Sequence, residues 1–311
     1  MSSLARGEGG AGEVAWYEQP WVRTLMSGQG IGPALPATIY LVVFLVIPLS
    51  LLFSFAFLTV ERSVVVPGSL SLSHFAEALG DDLFWKIAWR SFWVGALATI
   101  LCLLLAYPVA YLYTRLGSLQ QKLLLVAVVA PLLTSALVRT YAWIVILGGR
   151  RGLLNSILLD LGIVDRPLRV LNTDWGVLIG MTQIHLPFMI LPLIAVLVSR
   201  EADIESASMN LGASRLQTFF KVTLPLSVPG ITAGVALVFA LSYTNFIIPQ
   251  LLGGGNYTTL AVQVYEFIVV ILDWTKGAVR ASLLLLSCFV FVFLISWVGH
   301  RATRWSEGRA R

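Results

Sequence analysis

Six unbroken apolar stretches govern what this chain can become. They run over about Ala34–Leu58, Phe92–Tyr113, Leu123–Leu147, Trp175–Ser199, Ile231–Leu252 and Ala281–Val298. A helix needs about 20 apolar residues to cross a bilayer core. Inside lipid the backbone is satisfied only by helices or closed barrels. These runs are continuous rather than alternating, which selects helices. Composition agrees: 58% of the chain is hydrophobic and 12% charged, about half the charge of a soluble domain. The expected fold class is an all-α integral membrane protein with six transmembrane helices. An even number puts both termini on one side.

The charges suggest which side. With the N-terminus inside, 11 of the 21 Lys and Arg fall on the inner side and nine on the outer, with Arg139 inside a span. Arg301, Arg304, Arg309 and Arg311 crowd the tail, and basic residues near span ends favour the cytoplasm. The expected organisation is a cytoplasmic segment at 1–33, a six-helix membrane domain at 34–299 with an inner loop at 200–230, and a basic cytoplasmic tail at 300–311. The first 30 residues show no apolar core with a cleavage site, so the first span is expected to be retained. Of the outer loops, Pro67–Ile87 reads as a short interfacial helix opened by Ser71 or Ser73.

Much chemistry is excluded. Cys102 and Cys288 both lie in apolar runs and read as small core residues. His74, His185 and His300 sit beside no Cys, Asp or Glu cluster, so no metal site is expected. The four lysines, Lys86, Lys122, Lys221 and Lys276, never follow a glycine, so the phosphate-binding G-x-x-x-x-G-K-[ST] pattern is absent. No G-x-S-x-G elbow or H-E-x-x-H motif occurs. No catalytic residues and no cofactor are expected in the chain. Its environment is the lipid membrane, and nothing points to nucleic acid.

The most organised segment lies between two apolar runs: LGASRLQTFFKVTLPLSVPGI, Leu211–Ile231. Glu201–Asn210 before it is a helical candidate with acids near its start, which suits the helix dipole. Gly212 can supply the left-handed residue that closes a helix. Ser214 and Gln217 have capping-box spacing. Leu216, Phe219, Phe220 and Leu224 form an apolar stripe, with Arg215 and Lys221 off it. Pro225 is expected to end this helix, and Pro229 and Gly230 to open the next span. The spacing predicts a short, stiff, capped helix lying along the membrane. Such a helix could rest on headgroups or serve as a lever for a partner. The small Gly212–Ala213–Ser214 corner favours the lever.

This segment resembles the cytoplasmic loop of binding-protein-dependent ABC importer permeases, E-A-A-x-x-L-G-A-S followed by F and then L-P-x-x-x-P-G-I. Leu211, Gly212, Ala213, Ser214, Phe219, Leu224, Pro225, Pro229, Gly230 and Ile231 match. The family's glutamate would fall at Ser206, whereas the nearest acid, Glu205, is one residue early. On a helix that is a rotation of about 100°. The resemblance implies a coupling helix with Glu205, Ala207, Leu211, Gly212, Ala213, Ser214, Arg215, Phe219 and Pro225 as ATPase-coupling residues. It also implies a dimer of ATPase subunits that bind ATP and Mg, a second permease, identical or homologous, and a periplasmic or extracellular substrate-binding protein. RTYAWIVILGGRRGLLNSILLDLGI, HLPFMILPLIAVL and PQLLGG are similar to the polyamine-type branch.

That branch commonly reads G-E-F-V-I-P-E-L-L-G-G where this chain has TNFIIPQLLGG, so Asn245 and Gln250 stand in place of acids. A polycation crossing low dielectric wants carboxylates. Opines, amino-acid-like compounds and other small polar solutes therefore stand beside polyamines. The polar groups within spans are the candidates for the substrate path: Arg139, Tyr141, Trp143, Gln183, His185, Tyr243, Asn245 and Gln250. The alternative is a self-sufficient secondary transporter. That would need ion-coupling acids or broken helices at mid-membrane, and the span interiors carry no Asp or Glu.

Overall fold

The computed structural model describes residues 31–61, 64–199, 202–255 and 257–308. The N-terminal segment therefore lies almost wholly outside the described residues, as do Arg200 and Glu201 at the head of the loop and the last three residues. The chain divides into two units, Met1–Ser54 and Phe55–Arg311. The first holds α1 (Ile31–Leu41), a π-helical stretch (Val42–Val46) and all but the last three residues of α2 (Ile47–Phe57). Together they supply the apolar span Pro36–Phe57.

After the end of α2 the second unit continues with a small antiparallel hairpin, β1 (Leu58–Glu61) and β2 (Val64–Leu70), paired from Leu58 with Leu70. It is the one departure from an all-helical chain among the described residues. Next comes α3 (Ser73–Gly80), with the Ser73 N–H donating to Ser71 Oγ at 3.0 Å. Asp81 ends that helix and starts the next, its carboxylate accepting from the Leu83 N–H. The expected interfacial helix thus splits at Asp81. The second span begins ten residues earlier than its apolar run, as α4 (Asp82–Tyr113).

The remaining helices are α5 (Ser118–Val129), α6 (Ala136–Leu147), α7 (Leu153–Asp160), α8 (Asp174–Val198), α9 (Ala202–Asn210), α10 (Arg215–Thr218), α11 (Leu224–Leu226), α12 (Val228–Tyr243), α13 (Ile247–Leu252), α14 (Leu260–Tyr265) and α15 (Trp274–Gly308). The tail from residue 300 to Gly308 continues α15. Four helices are long and apolar enough to span a membrane, and two bent pairs bring the count to six among the described residues.

The bends correct two expectations. The third run, read as one span, turns by 96° between Leu133 and Ala136. Pro131 lies in a tight turn at Ala130–Leu133 and has no N–H to continue the ladder. The Thr134 hydroxyl takes up the Pro131 carbonyl at 2.8 Å. The fifth run, read as unbroken to Leu252, stops at Tyr243 and restarts at Ile247. Asn245 Oδ1 accepts from the Ile248 N–H at 3.0 Å and caps the new helix.

The core lies where α4, α8 and α12 meet. On α4 the residues Ala98, Cys102, Ala106 and Ala110 recur every fourth position and are fully buried. Small residues at that spacing let helices approach closely in a membrane. Met189, Leu193 and Leu197 of α8 and Val238 of α12 fill the space against the latter part of this stripe. Leu104, Phe289 and Phe293 point outward and are mostly exposed, as lipid-facing residues are.

Candidate functional site

Two groups of residues sit at different depths of this bundle. The first lies along the spans. His185 of α8 is buried and shares a 2.9 Å hydrogen bond, through Nδ1, with Ser242 Oγ of α12. Two residues earlier on α8, Gln183 accepts from Trp143 Nε1 of α6 at 3.3 Å. Arg139 lies one turn before Trp143 on the same helix, a spacing that shares one face. Its Nε and Nη1 are buried and meet no acceptor among the described residues. An unpaired charge at membrane depth is costly and marks a path or a partner.

The other expected path residues separate from this group. Tyr141 is half exposed, on a different side of α6 from Arg139 and Trp143. Tyr243 turns to α15, sharing a 2.8 Å bond with Ser287 Oγ and stacking on Phe239. Asn245 spends its carbonyl oxygen on the cap of α13. Gln250 is half-buried on α13. The structure therefore joins Trp143, one turn from Arg139, to Gln183 on one side of α8, and His185 to Ser242, which the sequence reading passed over, on another. A lone serine in an apolar span carries no pattern; only its position opposite His185 singles it out.

α13 is seated on α8. Ile248 and Leu252 pack with Val177 and Met181, and a Cβ at Gly180 would collide with the Leu252 side chain. The following loop is pinned by Tyr257, whose hydroxyl donates to Asp174 Oδ1 at 2.6 Å. Burial, together with the bond to Asp174, pushes the Tyr257 phenol far above its ordinary range, so it stays a donor. Arg90 lies 5.0 Å above the Tyr257 ring.

The second group is the loop at the other end of α8. α9 closes as expected: Gly212 has φ +90°, its N–H donates to the Met209 carbonyl at 2.9 Å, and the Ala213 N–H donates to the Ser208 carbonyl at 3.2 Å. This is the full paired closure of a helix C-terminus. Both bonds of the Ser214–Gln217 capping box are present, at 3.0 and 3.3 Å.

The apolar stripe is corrected. The backbone widens into a π-helix at Phe219–Thr223, which rotates later residues relative to earlier ones. Phe219, half-buried, packs edge-on against Tyr107 and Tyr111 of α4, and Thr218 and Thr223 are buried. Leu216 and Phe220 are instead 71% and 60% exposed, and Leu211 is 89% exposed. Pro225 does not end the helix. The helix continues through α11, and the 59° bend falls at Ser227, whose hydroxyl shares a 3.0 Å bond with Tyr107. Pro229 opens α12 as expected.

Ala207 and Arg215 are exposed, whereas Glu205 is turned inward. It pairs with Arg115, beyond the end of α4, and accepts from Thr223 Oγ1 at 2.7 Å. Desolvation opposes the Arg115 charge, but Tyr111 and Glu205 outweigh it and hold the guanidinium above its ordinary range. Beside this pair is a cavity of about 250 Å³ lined by Tyr111, Arg115, Glu205, Met209 and Thr223 among others.

No protein-family model matches the chain. It is 35% identical to the spermidine/putrescine transport system permease PotB of Haemophilus influenzae, over 256 residues that cover 82% of this chain and 89% of the relative. The chain belongs to the ABC importer permeases. Its relatives in that family include PotB of Escherichia coli K12, 32% identical over 85% of this chain and 94% of the relative. Its fold matches a bacterial ABC transporter involved in import of the acidic polysaccharide alginate, with a TM-score of 0.72 over 92% of this chain and 97% of that one, at 17% identity. This ABC importer permease is thus a multi-pass membrane subunit of an ATP-driven importer.

Proposed function

We propose that the chain gives a small polar solute a path across the bacterial inner membrane by alternating access, driven through the Ala202–Leu226 loop. The observation that carries this is the loop's exposed apolar face. Leu211, Leu216 and Phe220 stand outside a loop whose first helix is closed at Gly212 and whose second is capped at Ser214. Exposed large apolar residues grouped this way mark a protein contact. The partner is an ATPase dimer holding ATP and Mg, with Gly212, Ala213, Ser214 and Arg215 at the docking corner. A second permease, identical or homologous, completes the membrane domain, and a periplasmic binding protein delivers the solute; a solved alginate importer is described in complex with such a protein. Both termini and the loop face the cytoplasm. ATP-driven closure of the ATPases moves the loop and the helices joined to it as rigid bodies, and hydrolysis resets them.

Within the polyamine-, opine- and amino-acid-like range, the path favours a solute bearing a carboxylate. Arg139 offers unused donors, and Asn245 and Gln250 bring no negative charge. The homologous permeases are named for spermidine and putrescine. Uptake of putrescine and of 4-aminobutyrate, which differ by one ammonium and one carboxylate, separates the two preferences. The first experiment is co-purification of the tagged chain in mild detergent. An ATPase and a second permease in stoichiometric amounts are expected. A chain that emerges alone, where other complexes survive, overturns the importer assembly in favour of a self-sufficient transporter.

A further inference from the structure

Glu205 stands one residue before the position of the acid in the resembling loop, and the structure gives it other work. Its two carboxylate oxygens are both engaged within the chain, Oε2 by Arg115 and Oε1 by Thr223. Arg115 is itself fixed: it donates to the Tyr111 hydroxyl at 2.7 Å and lies 5.1 Å above that ring. Thr223 belongs to the π-helical stretch that leads into α12. One carboxylate thus joins three elements that are distant in sequence: the loop helix α9, the end of α4 and the approach to α12. A contact from Glu205 to an ATPase would have to break this junction. Ser206, exposed, occupies the neighbouring outward position.

We infer that Glu205 is a positioning residue, a tie through which movement of α9 is passed to α4 and α12, and not a docking contact for the ATPase. This rests on the reading of the loop as the ATPase-docking element. α4 and α12 both pack on α8, which carries Gln183 and His185. A pull on Arg115 and Thr223 therefore acts on the helices that frame the path. A half-exposed ion pair contributes little to folding, so its loss should spare insertion and assembly while loosening transmission.

The test uses the whole complex, purified by a tag on this chain and reconstituted in vesicles. Thr244, exposed beside the break that follows α12, is replaced by cysteine as a reporter; the native Cys102 and Cys288 are buried. Maleimide labelling is followed with and without Mg-ATP and vanadate, so no solute need be known. Glu205→Gln and Arg115→Gln should each keep the ATPase bound yet lose most of the ATP-driven change in labelling. The exchange Arg115→Glu with Glu205→Arg should restore it. Single variants that keep the full labelling change overturn the tie. So does an exchange that assembles but restores nothing, or an ATPase lost from the Glu205 variant alone. Should the unmodified chain hold no ATPase at all, the docking reading itself fails, which is a separate result.

Discussion

The two ends of α8 are finished differently. At the Asp174 end, α13 is locked onto α8 through Leu252 over Gly180, and the next loop is tied down by Tyr257 and Asp174. Ile248, Leu252 and Tyr257 cover Val177 and Met181 there, although Trp175 stays exposed. At the Val198 end, the loop is internally rigid, with two caps, but joined to the spans through Phe219 and a few polar links, while Leu211, Leu216 and Phe220 stay uncovered. The first end is a completed seat. The second is a stiff part whose outer face is left for another protein to cover.

That contrast can be broken at either end. The largest effect should come from Gly212→Glu. The residue sits at φ +90° on an exposed corner, where any side chain is strained by about 1–2 kcal/mol and a bulky acid obstructs close approach. Solute uptake is expected to fall to background while the chain still inserts. Normal uptake in that variant would remove the loop's role as a lever.

Gly180→Val should show the opposite pattern. It forces Leu252 off α8, and overpacking of this kind costs about 1–3 kcal/mol. Thermal unfolding in detergent should shift downward with the ATPase still bound. An unchanged melting temperature would mean that α13 is not seated as described. The smallest effect belongs to Ser214→Ala, which removes one bond of the capping box at about 1 kcal/mol. Faster amide exchange confined to 214–218 is expected, and exchange that spreads into α12 would show the loop to be less independent than its geometry indicates.

Local chemistry was legible from residue order alone. The closure at Gly212, the box at Ser214 and Gln217 and the start of α12 at Pro229 each involve neighbours within a few positions, so short-range spacing suffices. The breaks at Thr134–Ser135 and Thr244–Phe246 were not read, because hydropathy stays high across them. Pro131 and Asn245 were the available signals. The inward turn of Glu205 could not be read at all: it depends on Arg115, 90 positions away. The division of the Leu216–Leu224 stripe depends on a π-helix that periodicity of 3.6 does not anticipate.

The break after Tyr243 has a consequence for how such a protein can diversify. Thr244, Asn245 and Phe246 lie outside both flanking helices. The residues that hold α12 in place, Val238, Phe239 and Tyr243, lie before the break, and those that seat α13, Ile248 and Leu252, lie after it. Thr244, exposed within the break, can therefore be exchanged without disturbing either set. On the path proposed above, a lineage can change its cargo at such an uncrowded position while the machinery that moves the helices is inherited intact.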